Sequence, residues 1–264
     1  VLSHRVFSAI VLIPVVAWVV YVGGWWFLGA LAVAGVLADH EFYQMMRQGG
    51  FQPAPFIGLS LIVLLLLDAH EPAWGIARPA VVVVVILALV WHLFQKDDAA
   101  PTASWALTVI GGLYLGGFLG HFLLLRALPE PKGLRWTIVA FLTTWISDTG
   151  AYFTGLVFGR HKIWPRISPK KSWEGSIGGL LTGVLGAALV AWLAGLPPVH
   201  GAVIGALIPI ITPFGDFAVS MMKRQVGVKD SGNLIPGHGG MLDRLDSLLF
   251  SAVVVYYYVK WVVG

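Results

Sequence analysis

GSIGGLLTGVLGAALVAWLA, residues 175–194, is a stretch of twenty residues without one ionisable side chain. At about 1.5 Å per residue, a helix of that length crosses a hydrocarbon core of about 30 Å. Lipid cannot hydrogen-bond backbone N–H and C=O groups, and the hydrophobicity here is continuous rather than alternating. The run therefore reads as a membrane-spanning helix and not as a barrel strand. Comparable runs recur along the chain, giving approximate spans at 6–22, 25–46, 54–68, 76–95, 104–126, 134–158, 175–194, 199–222 and 241–263. The predicted fold is all-α: a polytopic integral membrane protein of about nine transmembrane helices, with a cytoplasm-facing polar site in its C-terminal half. We divide it into an N-terminal transmembrane scaffold of about five spans, 1–133, and a C-terminal catalytic region of about four, 134–264, forming one membrane-embedded unit.

Composition agrees with that reading. The 264 residues are 58% hydrophobic and only 11% charged, whereas a soluble domain carries roughly a quarter charged residues. A net charge of +4 would suggest nucleic acid for a soluble protein. Here the basic residues gather in loops, where phosphate and anionic membrane lipid are the expected partners and nucleic acid is not. Cysteine is absent, which excludes disulfides, thiolate metal sites and a cysteine nucleophile. The first apolar run, from Val6 to Val22, has no small-residue cleavage site before the next begins at Trp25, so it reads as a retained span.

Placing the N-terminus in the cytoplasm puts Arg5, Arg47, Lys96, Arg160, Lys162, Arg166, Lys170, Lys171, Lys223, Arg224, Lys229 and Arg244 on that side, against Arg78, Arg126, Lys132, Arg135 and Lys260 opposite. Twelve against five is the positive-inside bias, and a multi-pass cell (inner) membrane protein with its site facing the cytoplasm is expected. Gly112, Gly116 and Gly120 fall four apart, as do Gly175, Gly179 and Gly183, so each set lines a helix face for close packing. Trp25, Trp26, Trp164, Trp261 and Tyr256 to Tyr258 lie near span ends and read as interfacial anchors. Asp39-His40-Glu41 resembles a metal cluster but reads as helix-end polarity at the interface.

The chemistry gathers in three places. Asp148 sits inside the sixth span, in Ser147-Asp148-Thr149-Gly150; a carboxylate there is either functional or hydrogen-bonded for packing. Next, 159–174 carries Arg160, Lys162, Arg166, Lys170 and Lys171, with Ser168 and Ser172 as hydroxyl donors. Such a loop suits phosphate oxygens, with Ser172 to Glu174 capping the seventh helix, or else it merely orients the protein. Last come Asp216, Ser220, Lys223, Arg224, Lys229, Asp230, His238, Asp243, Arg244 and Asp246. Asp243 and Asp246, three apart, project from one helix face and with Asp216 could share a hard cation. Oxygen ligands without clustered His or Cys favour Mg2+ over zinc. A Mg2+ flanked by Lys and Arg is the recurring apparatus for transfer at phosphorus. His238 could contact phosphate, act as an acid or base, or be structural. Arg244 could simply neutralise its flanking carboxylates, and Asp230 could pair with Lys229 or cap a turn.

Ser220, Lys223, Arg224, Lys229, Asp230, His238, Gly239, Gly240, Asp243, Arg244 and Asp246 fill without a gap the signature of the phosphatidate cytidylyltransferase family, which the chain resembles. Ser147 to Tyr152 and Ser168 to Gly175 also resemble that family's pattern, while the first half is similar only in hydropathy. One departure is Val219, where bacterial members commonly carry a Glu.

The resemblance implies transfer of CMP from CTP to phosphatidate, giving CDP-diacylglycerol and pyrophosphate in phospholipid biosynthesis, with Mg2+ and room for a second cation. It further implies Asp216, Asp243 and Asp246 as metal ligands. Asp148, Lys170, Lys171, Lys223, Arg224, His238 and Arg244 are implied as catalytic groups, and Ser168, Ser172, Ser220, Lys229 and Asp230 as substrate-binding ones. A homodimer is compatible with it. Alternatives are a CTP-dependent lipid or polyprenol kinase, and an ion- or anion-coupled transporter in which Asp148 and Asp216 handle the ion.

Overall fold

The structure is a computed structural model that describes residues 2–232 and 239–264. It is almost entirely helical. Its helices are α1 (Leu2–Val22), α2 (Gly24–Gln48), α3 (Pro55–His70), α4 (Ala77–Leu93), α5 (Pro101–Arg126), α6 (Lys132–Phe158), α7 (Trp173–Leu193), α8 (Pro198–Gln225) and α9 (Leu242–Tyr258), the last continued by a π-helical turn to Val263. Four of these, α5, α7, α8 and α9 with its continuation, are long and apolar enough to cross a membrane, and Leu12–Val22, α3 and α4 are shorter apolar helices. On the face of α7, Leu181, Leu185, Leu189 and Trp192 are exposed, one above another at helical spacing. Water would not tolerate such a stripe, so the protein is membrane-embedded.

One departure from all-α is a short antiparallel hairpin of β1 (Lys162–Trp164) and β2 (Ser168–Ser172), with Lys162 opposite Ser172 and Trp164 opposite Ser168. Its strands are too short and too polar to show alternation, so the basic stretch reads as loop in sequence.

The chain forms two compact units: residues 1–124 with 222–245, and residues 125–221 with 246–264. This grouping differs from a single cut near residue 133, because the stretch after α8 packs with the N-terminal helices.

In the first unit α3 contacts both α2 and α4, around Leu61, Ala80 and Val84. The glycine face of α5 packs on α3 as expected: a Cβ on Gly112 would meet the Gly58 carbonyl and Leu61, and one on Gly116 would meet Ile62. Buried polar groups pin the helix starts, Tyr43 Oη donating to the Thr108 carbonyl at 2.7 Å and Thr108 Oγ1 accepting from Ala54 N at 2.9 Å.

In the second unit α6 and α7 pack along their length. Cβ atoms on Gly175 and Gly179 would press on Ala151, and one on Gly183 would press on the Gly205 carbonyl of α8. Gly195 takes φ +70° and closes α7, with Leu196 N bonding back to the Ala191 carbonyl at 2.8 Å. Thr144 on α6 donates to Ser251 on α9 at 2.8 Å.

Two anchor expectations need correction. Tyr256 is only 7% exposed and accepts from Lys260 Nζ at 3.1 Å; Tyr258 Oη pairs with His200 Nδ1 at 2.9 Å. Tyr256 packs inward, and Tyr258 is half-buried with its ring against His200 of α8. Trp25, Trp26 and Trp261 are exposed as expected of anchors.

Candidate active site

The hairpin sets the first group of side chains. Glu174, in the first turn of α7, accepts from the backbone N–H of Arg160 and His161 at 3.2 Å and lies 2.5 Å from His161 Nδ1, closing the hairpin's base. Ser172 ends β2 and caps α7, accepting from Gly175 N at 3.2 Å. It is buried in that capping position, while Ser168 stays part-exposed. Successive residues of a strand face opposite ways. Lys170 is accordingly exposed, while Lys171 Nζ reaches Asp216 Oδ2 at 2.6 Å and stands 4.7 Å from the centre of the Phe217 ring. Trp164 is half-exposed and packs toward that same ring, so it supports the hairpin rather than acting as a free anchor.

Around Lys171 the second unit assembles carboxylates from three helices. Asp216 on α8 accepts from Ser220 Oγ one turn on, at 3.3 Å. Asp148 on α6 hydrogen-bonds Ser247 and feels the charges of Lys171 and Asp216. Asp246 on α9 feels Asp216, Lys171 and Asp148, and takes Ser247 N on Oδ1 at 2.7 Å. A Cβ on Gly215 would strike the Asp246 backbone carbonyl and lie 2.6 Å from the Phe250 ring. Only glycine there lets α8 bring Asp216 this close to α9. Three carboxylates about one ammonium bring like charges together, a repulsion that a proton or a further cation would relieve.

Among the described residues no three acidic or imidazole groups already stand at ligand spacing; Lys171 holds the place against Asp216. The donor set nevertheless fits Mg2+, being carboxylate and hydroxyl oxygens with no soft ligand.

The first unit builds a second constellation at the start of α9. Asp243 Oδ1 pairs with Lys223 Nζ at 2.6 Å, with both side chains only about an eighth exposed, 13% and 12%. Asp243 Oδ2 accepts from Ser231 N at 3.0 Å and Gly240 N at 3.4 Å, and Ser231 Oγ stands 3.0 Å from it. Asp216 and Asp243 thus belong to different units, each with partners in its own. Among the other expected groups, Arg224 is exposed and donates to the Val228 carbonyl at 3.1 Å, so it closes the turn after α8. Lys229, Asp230 and Arg244 are exposed. His238 lies outside the described residues.

Over residues 3–262 the chain matches the model of the cytidylyltransferase family. It belongs to that family. Among its relatives, a phosphatidate cytidylyltransferase of Synechocystis sp. is 38% identical, covering 97% of this chain and 96% of that protein. One from Brucella suis is 35% identical over 97% of this chain and 92% of its own length, and one from Mycobacterium bovis 33% over 91% and 82%.

For a cytidylyltransferase, two features of this site stand out beyond the acidic residues. Val219 is fully buried, an apolar packing site on α8. Glu41 was read as interfacial polarity, and that reading is corrected: it is 5% exposed and accepts from Ser231 Oγ, Met241 N and Leu242 N at 3.0, 2.9 and 3.0 Å. Asp39 is buried too, while His40 is exposed. Ser231, Ser247 and Phe217 also escaped the sequence reading, although each lies within two residues of an acidic position already singled out.

Proposed function

We propose that this chain transfers CMP from CTP to phosphatidate, releasing CDP-diacylglycerol and pyrophosphate, in a Mg2+-dependent reaction at the cytoplasmic face of the membrane. The observation that carries the proposal is the likeness to phosphatidate cytidylyltransferases along nearly the whole chain, 38% identical to the Synechocystis protein over 97% of it. The transporter alternative has no comparable support. The kinase alternative would need the same nucleotide but a different reacting phosphorus.

The substrate phosphate is a monoester and already an anionic nucleophile, so no side chain has to form a covalent intermediate. One lipid phosphate oxygen attacks the α-phosphorus of CTP in line; the new P–O bond forms as the α–β bridging P–O bond breaks, and pyrophosphate leaves with the electron pair. Mg2+ bound at the carboxylates supplies Lewis-acid neutralisation of the triphosphate oxygens. Asp216 and Asp246 are the residues we assign to hold it, with Asp148 beside them; Asp243 joins them on the sequence pattern alone. Lys171, paired with Asp216 at 2.6 Å, exchanges that carboxylate for phosphate oxygens when CTP binds. Lys170, Lys223 and Arg224 add charge for the triphosphate and the lipid headgroup, where ionic hydrogen bonds are the strong ones. Ser168, Ser172, Ser220, Lys229 and Asp230 belong to the surrounding substrate shell, and His238 and Arg244 to the catalytic groups.

Purified protein in detergent, supplied with CTP, Mg2+ and phosphatidic acid, tests the reading. Pyrophosphate appearing with CDP-diacylglycerol is the expected result. Release of CDP would mark a kinase, and neither product would overturn the reading.

A further inference from the structure

We propose that Glu41, on α2, is a positioning residue for the reaction: it fixes the start of α9 and, through Ser231, the carboxylate of Asp243. This rests on the reading of Asp243 as part of the reaction centre. Glu41 lies 190 residues from Ser231 and 200 from Met241 in sequence, yet its carboxylate takes bonds from both sides of the segment 233–238. Ser231 Oγ precedes that segment; Met241 N and Leu242 N follow it.

A carboxylate 5% exposed is expensive to keep unless its oxygens are satisfied. Glu41 meets that cost with two backbone N–H groups at the N-terminus of α9, where the helix adds partial positive charge, and with one hydroxyl. Ser231 Oγ stands 3.0 Å from Glu41 Oε2 and 3.0 Å from Asp243 Oδ2. Its single proton serves one carboxylate at a time, so the orientation of Asp243 responds to the state of Glu41. The space is shaped for that side chain: a Cβ on Gly232 would lie 2.6 Å from Glu41 Oε1, and one on Gly240 would collide with Glu41 Oε2 and Ser231 Oγ. Glycines at both positions admit the carboxylate. A group that only oriented α2 at the membrane interface would be exposed, as neighbouring His40 is.

Glu41→Gln keeps one carbonyl acceptor but places its amide NH2 against either Met241 N or Leu242 N, which bond to different oxygens of Glu41. Outer-shell changes of this kind cost about 10–100-fold in metal affinity or activity. Full-length Glu41→Gln is expected to show a loss of that size in kcat or in half-saturating Mg2+, with the thermal midpoint close to wild type. Amide hydrogen exchange should quicken at whichever of Met241 and Leu242 then faces the NH2. Combined with Ser231→Ala, it should lose less than the product of the single effects, because both act through Asp243. His40→Ala, on the exposed side of the same turn, should match wild type. Unchanged kinetics and exchange in Glu41→Gln would overturn the inference, as would a loss that tracks the thermal midpoint and multiplies fully with Ser231→Ala. Should wild-type protein not transfer CMP at all, the proposed reaction fails, and unchanged exchange in Glu41→Gln would then separately refute the contact.

Discussion

Replacing Lys171 by Met should tighten Mg2+ binding while making the reaction with CTP less efficient. At 2.6 Å the Lys171–Asp216 attraction is about 1.6 kcal/mol at the dielectric of water and about 6 kcal/mol at an effective dielectric of 20. The two side chains are 29% and 30% exposed, so desolvation and screening leave a net of about 1–2 kcal/mol. Any cation bound by Asp216 must displace that ammonium. Met keeps the apolar stem against Phe217 and removes the competitor, so half-saturating Mg2+ should fall roughly 5–30-fold, the equivalent of that energy. The same change deletes an ionic hydrogen bond to phosphate worth about 1.5–3 kcal/mol, so kcat/KM for CTP should drop at least about tenfold. Pyrophosphate release measured across a Mg2+ by CTP grid in detergent separates the two. Half-saturating Mg2+ that stays level or rises would refute the placement of Lys171 against a metal-binding carboxylate.

Other expectations follow from single contacts. Asp243→Asn should abolish turnover while keeping the fold, since Asn can still accept from Ser231 N and Gly240 N; near-normal rates would remove Asp243 from the reaction centre. Gly215→Ala drives a methyl into the Asp246 carbonyl and Phe250, and should cost about 1–3 kcal/mol by thermal unfolding together with most of the activity; a neutral result would mean that α8 and α9 do not need this approach. Thr144→Val removes the donor to Ser251 and should destabilise by about 1 kcal/mol with KM for CTP unchanged; a shifted KM would give Thr144 a role at the substrate.

Helices were the most legible feature, because a segment in lipid must satisfy its own backbone and so advertises itself by continuous apolarity. The run expected at 25–46 is α2 at Gly24–Gln48, and that at 76–95 is α4 at Ala77–Leu93. The hairpin was illegible: Pro165 follows β1 and Pro169 lies within β2, the strands are only three and five residues long, and pairing rather than pattern makes them strands. In the site, spacing on one helix exposes Asp243 and Asp246, and the cost of an intramembrane charge exposes Asp148. Their partners are set by packing. Nothing local to α2 marks Glu41, whose bonds lie 190 to 201 residues away. Whether Tyr256 faces lipid or protein is likewise decided by which side of α9 meets its neighbours, and not by its place near a span end.

Crystals of the full chain grown with Mn2+ in place of Mg2+, and measured for anomalous scattering, would test the carboxylate site most directly. A peak within about 2.5 Å of oxygens from both Asp216 and Asp246, lost in Asp216→Asn, is the expected result. A peak elsewhere, or one that survives that substitution, would contradict it.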